Sequence, residues 1–171
     1  MDKGKKLAWL LRHDKAGLKQ GKIDKNGWRK IEELISGYGF SKEEIDMILK
    51  ENDKQRFEYN QDQTCIRARQ GHSIKVDVEL PETMPPEILY HGTTREALEW
   101  IYMDGIKPMS RLYVHLSENE ETAEKVGQRH KRKEMVILKI RALDMWNNGI
   151  KFWKSRNGVW LCKYVDREYL L

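Results

Sequence analysis

Residues 56–73, RFEYNQDQTCIRARQGHS, combine two short strand patterns with a run of arginine, glycine and histidine. The strand patterns lie on either side of the polar turn 60–63 and predict a β-hairpin. Near the end of the hairpin, Arg67 and Arg69 carry guanidinium forks that match phosphate oxygens in pairs, and Gly71 permits close approach of the backbone to a ligand. The stretch therefore indicates a hairpin leading into an anion-binding segment; a solvated, charged loop is the alternative.

Helical patterns precede this hairpin. Apolar spacing predicts one helix over residues 5–13 and another over residues 28–35, whereas residues 17–21 are expected to form a loop. Ser41 and Glu44 form a capping box that begins a third helix. Three short helices followed by a hairpin are typical of a winged helix, an architecture that often binds nucleic acid.

The second half of the chain has a different pattern, beginning after a proline-containing connector over residues 76–86. It predicts helices over residues 94–104 and 119–130 and strands over residues 88–91, 112–116, 135–140, 151–153, 159–162 and 167–170. We therefore expect an α+β protein with two domains, residues 1–80 and residues 81–171.

Charge and composition narrow the function classes only slightly. The 171 residues carry a formal net charge of +5, from 32 basic and 27 acidic side chains. The excess is spread over both halves, so a nucleic-acid site has to come from local clustering of basic residues. Cys65 and Cys162 are predicted to be free thiols. Without a signal peptide, a membrane-spanning stretch or heptad repeats, we expect a soluble, cytoplasmic monomer.

Short polar clusters elsewhere in the chain are candidates for chemistry. Gly92 and Thr93 are predicted to form a strand-to-helix turn whose N–H groups suit an anion, although many such turns serve capping alone. Alternation along residues 111–117 places polar side chains on one strand face. The clusters are Leu11-Arg12-His13-Asp14, Tyr90-His91-Gly92-Thr93-Thr94, the alternating Arg111, Tyr113, His115 and Ser117, and the basic run at residues 126–133.

The pattern excludes several kinds of site. Histidine and acidic residues lack metal-ligand spacing, so we expect no metal, and there is no phosphate-binding glycine loop or nucleophile elbow. A site rich in arginine and histidine but poor in acids suits reacting groups that are already anionic, because stabilisation of charge then supplies most of the catalysis.

Taken in order, the motifs resemble the RNA 2′-phosphotransferases, the KptA family. The resemblance runs from about Leu7 to the end of the chain. Its motifs are Leu-Leu-Arg-His at residues 10–13, Gly-Trp at 27–28, Ile-Arg-Ala-x-Gln-Gly-His-Ser at 66–73, Leu-Tyr-His-Gly-Thr at 89–93, Val-His-Leu-Ser at 114–117 and Val-Gly-x-Arg-His at 126–130.

The resemblance implies a fold and an activity. The expected fold is an N-terminal winged-helix RNA lobe followed by an ADP-ribosyltransferase-like lobe that binds NAD. The implied reaction removes an internal RNA 2′-phosphate, as at tRNA splice junctions, in two steps through an RNA 2′-phospho-ADP-ribose intermediate. The products are RNA with a 2′-OH, nicotinamide and ADP-ribose 1″,2″-cyclic phosphate. NAD is consumed as a co-substrate and RNA, expected to be tRNA, is the partner.

The resemblance also implies roles for individual residues. The catalytic set is Arg12, His13, Arg67 and Arg129, the first three holding the 2′-phosphate and Arg129 stabilising it in the second step. The set expected to bind NAD is His91, Gly92, Thr93, Arg111, His115 and Ser117. The set expected to contact the RNA and its phosphate is Arg69, Gln70, Gly71, His72, Ser73 and His130.

Departures from the family pattern occur at Arg69, where Asn is usual, at Tyr113, where His is frequent, and at Lys131, where Gly is frequent. Two other functions fit the same residues. The chain could stop after the first step, leaving ADP-ribose on a terminal phosphate of RNA or DNA. It could also be a non-catalytic RNA-binding winged helix with an inert second lobe.

Overall fold

The chain divides after Glu79 into two units, Met1–Glu79 and Leu80–Leu171. The computed structural model describes residues 2–51, 55–127 and 134–171. Helices and strands occur in both units, in agreement with the predicted α+β class. No helix within the described ranges has the length and apolar character needed to cross a bilayer.

The N-terminal unit combines short helices with a small antiparallel sheet. Its described elements are α1 (Lys3–Arg12), α2 (Lys15–Lys19), β1 (Arg29–Lys30), α3 (Ile31–Tyr38), α4 (Lys42–Lys50), β2 (Phe57–Tyr59) and β3 (Cys65–Ala68). The sheet has the order β1-β3-β2, with Ile66 of β3 opposite Arg29 on one side and Tyr59 on the other. The predicted hairpin is therefore confirmed, and β1 extends it by a third strand.

Local capping explains where these helices begin. The Asp2 carboxylate accepts a hydrogen bond from the Lys5 N–H at the start of α1. The predicted capping box of α4 is present, because the Ser41 hydroxyl accepts from the Glu44 N–H and the Glu44 carboxylate accepts from the Ser41 N–H. Both helices bury apolar faces in one core, which includes Leu7, Leu11, Leu34, Ile45, Phe57 and Ile66.

Two predictions for this unit are wrong. The predicted loop over residues 17–21 overlaps α2, a helix that Asp14 caps by accepting from the Gly17 N–H. The predicted helix over residues 28–35 begins only at Ile31, because Arg29 and Lys30 pair with β3. Strand pairing outweighs helical periodicity at this point.

The C-terminal unit contains two sheets with helices between their strands. Its described elements are β4 (Ile88–Thr94), a 3₁₀ turn (Arg95–Ala97), α5 (Leu98–Asp104), β5 (Val114–Leu116), α6 (Glu120–Gly127), β6 (Met135–Arg141), α7 (Ala142–Asn147), β7 (Phe152–Lys154), β8 (Trp160–Cys162) and a 3₁₀ turn (Arg167–Tyr169). One sheet pairs β4 with β6, and the other has the order β5-β8-β7. A bridge between Tyr90 and Ser117 joins the two sheets.

The core of this unit contains residues from all of the strands β4 to β8. Its buried residues include Leu89, Val114, Leu116, Leu138, Ile140, Met145, Phe152, Trp160 and Cys162. Burial raises the pKa of the Cys162 thiol to about 12. Cys65 and Cys162 are both free, as predicted.

Four predictions for this unit need correction. Strand β4 does not end at His91 but continues through Thr94, and a 3₁₀ turn precedes α5. Strand β5 begins at Val114 rather than at residue 112. Helix α7 is an additional element for which the sequence analysis made no prediction. The predicted strand over residues 167–170 is a 3₁₀ turn. The predicted helix over residues 119–130 matches α6, except that residues 128–130 lie outside the described part of the chain.

Candidate functional sites

The end of α1 forms the first candidate site. Arg12 is the last residue of α1 and His13 is its C-cap, and both side chains are partly buried. The loop after β3 returns to this point, because the Ser73 and Ile74 N–H groups donate to the Arg12 carbonyl at 3.0 and 3.3 Å. His13 Nδ1 lies 2.9 Å from Ser73 Oγ. Residues sixty positions apart in the sequence are thereby brought into contact.

Gly71 and His72 lie in the same loop. A β-carbon on Gly71 would lie 3.4 Å from Arg12 Nε, so the backbone there runs against the guanidinium, and its φ of +90° favours glycine. His72 is buried and contacts the turn at Gly27, where a β-carbon would lie 3.5 Å from His72 Nε2. The structure therefore brings Arg12, His13, Gly71, His72 and Ser73 together.

Arg67 lies beside the same turn. Its guanidinium stacks 4.2 Å from the Trp28 ring centroid, and its Nη1 donates to the Asn26 carbonyl at 3.2 Å. Arg67 Nε donates to Glu58 Oε1 at 2.8 Å. The side chain is only 3% exposed, and the exposed Glu79 carboxylate lies 3.5 Å from Nη1. The turn over residues 24–28 thus contacts both Arg67 and His72, placing Arg67 in the same region as the end of α1.

Arg69 and Gln70 complete the segment predicted from the sequence, and both are partly buried. Arg69 Nε donates to Glu58 Oε2 at 3.1 Å, and its Nη1 donates to Gln55 Oε1 at 2.9 Å. Arg69 and Arg67 therefore share one carboxylate. No sequence pattern indicates this role for Glu58, because an acidic residue in a short strand is ordinarily solvated.

Arg29 supports the end of α1 from inside the unit. Its fully buried guanidinium donates through Nη1 to the Leu10 carbonyl at 3.0 Å and to Asp14 Oδ2 at 2.9 Å. It also binds both carboxylate oxygens of Glu33 and the hydroxyl of Tyr38. Sequence reasoning missed Arg29, since a basic residue after Trp28 in a predicted helix gives no indication of burial.

The charges of this network favour its ionised form. Burial by itself would raise the pKa of Asp14, but hydrogen bonds from the Gly17 N–H and the Arg29 guanidinium hold that pKa below its ordinary value. Burial by itself would lower the pKa of Arg29, but Glu33 and Asp14 raise it. Asp14 therefore remains an anion paired with Arg29, so its charge is compensated beside Arg12 and His13.

The second candidate site lies in the C-terminal unit, where β4 meets β5. His91 Nδ1 donates to the His115 carbonyl at 3.1 Å, and His115 Nδ1 donates to the Tyr113 carbonyl at 3.0 Å. Ser117 exchanges two backbone hydrogen bonds with Tyr90, at 2.9 and 2.8 Å. His91, His115 and Ser117 are therefore neighbours, as their predicted shared role requires.

Burial sets the protonation of His91. A carbonyl oxygen only accepts hydrogen bonds, so Nδ1 of His91 carries a proton. Burial lowers the pKa of His91 below 6.5, although the bond to the His115 carbonyl opposes this shift. The ring is therefore neutral at pH 7 and presents Nε2 as a hydrogen-bond acceptor.

Gly92 and Thr93 do not form the predicted turn at a helix N-terminus. Both lie within β4, opposite Ile137 and Val136 of β6. The interpretation of these two residues as a helix-terminal anion site is therefore wrong, because strand pairing continues past them. They still follow His91 directly, so they lie beside the pair of histidines.

The remaining predicted residues fall into two groups. Arg111 is exposed and precedes β5, after a turn in which its N–H donates to the Pro108 carbonyl. Arg129 and His130 lie outside the described residues. Within the described ranges, no group of three or more His, Cys, Asp or Glu side chains is placed to hold a metal ion.

Comparisons with known proteins place the chain in one family. The sequence profile described as "RNA 2'-phosphotransferase, Tpt1 / KptA family" matches residues 1–164. A protein of Flavobacterium johnsoniae named "Probable RNA 2'-phosphotransferase" is 46% identical over 96% of this chain and 91% of its own length. Proteins of the same name from Fusobacterium nucleatum and Escherichia coli are 45% and 41% identical, over 98% and 99% of this chain and 95% and 94% of their own lengths.

Proposed function

Because the chain belongs to the Tpt1/KptA family of RNA 2′-phosphotransferases, we propose that it transfers an internal RNA 2′-phosphate to NAD. The products are RNA with a 2′-OH, nicotinamide and ADP-ribose 1″,2″-cyclic phosphate. The observation that carries this proposal is the cluster of Arg12, His13 and Ser73 at the end of α1, next to the turn that holds Arg67. We take the RNA to be a tRNA with a 2′-phosphate at a splice junction.

The first step joins the phosphate to NAD. An oxygen of the 2′-phosphate attacks C1″ of the nicotinamide ribose, the bond from C1″ to the pyridine nitrogen breaks, and nicotinamide leaves as a neutral molecule. The phosphate dianion is already a nucleophile, so this step needs no general base. Guanidinium groups at Arg12 and Arg67 would orient the dianion by paired hydrogen bonds, together with His13.

The second step releases the RNA. The 2″-hydroxyl of the ribose attacks phosphorus, the bond from phosphorus to the RNA 2′-oxygen breaks, and that oxygen takes up a proton. Either His13 or the phosphate itself accepts the proton of the attacking hydroxyl. Arg129 is the residue proposed to offset the charge that collects on the phosphoryl oxygens.

The pair of histidines in the C-terminal unit fits recognition of NAD. Neutral His91 can accept a hydrogen bond from a ribose hydroxyl or the carboxamide N–H through Nε2, which a protonated ring could not. Gly92 and Thr93 follow His91 in β4, while His115 contacts His91 and Ser117 pairs with Tyr90, so these residues could contribute further contacts to NAD. Arg111 would supply a cation for the pyrophosphate. A neutral ring also avoids placing a positive charge beside the cationic nicotinamide ring before it leaves.

The test is release of nicotinamide from NAD in the presence of an oligonucleotide with one internal 2′-phosphate. We expect release with this oligonucleotide and none with the same sequence lacking the phosphate. Release that leaves ADP-ribose on a terminal phosphate of RNA or DNA would replace the proposal with the one-step alternative. Binding of RNA without any release of nicotinamide would leave the non-catalytic alternative.

A further inference from the structure

Glu58 is a buried carboxylate that two arginines share. It lies on β2 directly opposite Arg67 of β3 and is 7% exposed. Its Oε1 accepts from Arg67 Nε at 2.8 Å, and its Oε2 accepts from Arg69 Nε at 3.1 Å. Each carboxylate oxygen therefore has its own arginine donor.

The contacts of Arg67 fix the direction of its guanidinium. Glu58 accepts a hydrogen bond from Nε, and the Asn26 carbonyl accepts one from Nη1. The Trp28 ring stacks on one face of the guanidinium plane. A planar fork held at three points loses little freedom when it binds a phosphate, because its orientation is already set. Glu58 is the only one of these three contacts that carries a charge.

The negative charge of Glu58 weakens the attraction of Arg67 for a phosphate, and the positive charge of Arg69 compensates for it. A carboxylate paired with Arg67 alone would cancel the positive charge that attracts a phosphate. Because Arg69, which is partly buried, binds the other oxygen, the group of two arginines and one carboxylate keeps a net charge of +1. Glu79 also lies 3.5 Å from Arg67, but its side chain is 62% exposed and water screens its charge.

We propose that Glu58 is a positioning residue that directs Arg67 at the RNA 2′-phosphate, and that Arg69 acts through Glu58 rather than on the phosphate. This inference rests on the function proposed above. It gives Arg69 a role through Glu58 in place of the direct contact with the RNA phosphate expected from the sequence, and it identifies Glu58, which no motif includes.

The test uses three variants and one ratio. The ratio compares the dissociation constants of an RNA oligonucleotide with and without an internal 2′-phosphate, measured without NAD so that no turnover occurs. In Arg69→Asn, Glu58 loses the Arg69 donor and keeps its bond from Arg67, and we expect the preference for the phosphorylated RNA to fall by about fivefold. In Glu58→Gln, the amide N–H₂ must face one arginine donor, and we expect a fall of about tenfold or more.

The double variant separates the two possible roles of Arg69. In Glu58→Gln with Arg69→Asn, the amide oxygen accepts from Arg67, and the Arg69 donor that would oppose the N–H₂ group is gone. The net charge also returns to +1. We therefore expect the second substitution to rescue the first, with a preference within about threefold of the wild type. If Arg69 instead contacts the phosphate, the double variant will be at least as weak as Arg69→Asn, which overturns the inference.

A matched control excludes a general loss of structure. Asp46 is another carboxylate of the N-terminal unit with two side-chain partners, Lys42 and Tyr59, and among the described residues neither partner is an arginine. We expect Asp46→Asn to leave the ratio unchanged. An equal loss of affinity for both RNAs in Glu58→Gln would show a merely structural role and contradict the inference. A wild-type protein with no preference for phosphorylated RNA would instead contradict the proposed function.

Discussion

Arg29 Nη1 lies 2.9 Å from Asp14 Oδ2, and the two side chains are 0% and 7% exposed. The same nitrogen binds the Leu10 carbonyl in the last turn of α1, and Asp14 caps α2. One buried guanidinium therefore fixes both ends of the short connection that carries Arg12 and His13. The position of these two proposed phosphate ligands depends on a residue that cannot reach the phosphate itself.

Replacement of Arg29 by methionine should destabilise the protein strongly. Removal of one partner leaves the Asp14 carboxylate buried without its cation, which costs about 3–5 kcal/mol in comparable buried pairs. Urea denaturation of Arg29→Met checks this value. Lys42→Met, which breaks the exposed pair with Asp46, is the control, with an expected change within about 1 kcal/mol. Equal effects of the two substitutions would show that the Arg29 network adds no stability.

Gly105 should not tolerate a side chain. Its φ is +74°, and a β-carbon there would overlap the Val165 carbonyl oxygen and lie 2.5 Å from Tyr164 Oη. Gly149 has a similar φ of +86° but no atom within 4 Å of the corresponding position. We expect Gly149→Ala to cost about 1–2 kcal/mol from backbone strain alone, and Gly105→Ala to cost at least about 2 kcal/mol more. Similar melting temperatures for both variants would contradict the close packing.

The stability of the wild type should depend on the ionisation of His91. Its folded pKa is depressed by burial below the ordinary value of 6.5. Just below pH 6.5, His91 is therefore protonated to a larger extent in the unfolded chain than in the folded chain. The free energy of unfolding consequently falls as the pH falls through this window. His91→Gln removes this contribution. Denaturation at about pH 7.5 and about pH 5.5 should show a smaller difference in the variant; an equal difference would mean that His91 titrates normally.

Substitution of Arg129 should separate the two proposed steps. If this side chain offsets charge in the second step, Arg129→Ala slows that step most, and RNA carrying 2′-phospho-ADP-ribose accumulates. Gel analysis of the RNA during a single turnover reveals this species as a slower band. Equal slowing of nicotinamide release and of RNA release would refute the role given to Arg129.

Local chemistry accounts for the parts of the fold that the sequence predicts. The capping box of Ser41 and Glu44 determines the start of α4, and the polar turn over residues 60–63 determines the hairpin, because each depends on residues a few positions apart. Helix α2 was not predicted because Gly17 lowers the helix propensity of this short segment. Its N-cap, Asp14, is also held by Arg29, which lies fifteen positions away in the sequence.

Long-range pairing explains the remaining differences. Strand β4 continues through Gly92 because β6 supplies partners some forty-five residues later, which no local pattern contains. The contact of His13 with Ser73 likewise spans sixty positions. For the candidate site, the order of six motifs predicts which residues bind the substrates, and that prediction depends on the resemblance rather than on the fold. The burial of Arg29 and the sharing of Glu58 could be found only from the folded chain.

The fate of the 2′-phosphate tests the central claim most directly. An oligonucleotide whose internal 2′-phosphate carries a radioactive phosphorus is incubated with the protein and NAD, and the products are separated. We expect the label to leave the RNA and to appear in ADP-ribose 1″,2″-cyclic phosphate. Label that stays on the RNA, or that appears as inorganic phosphate without consumption of NAD, would contradict the account.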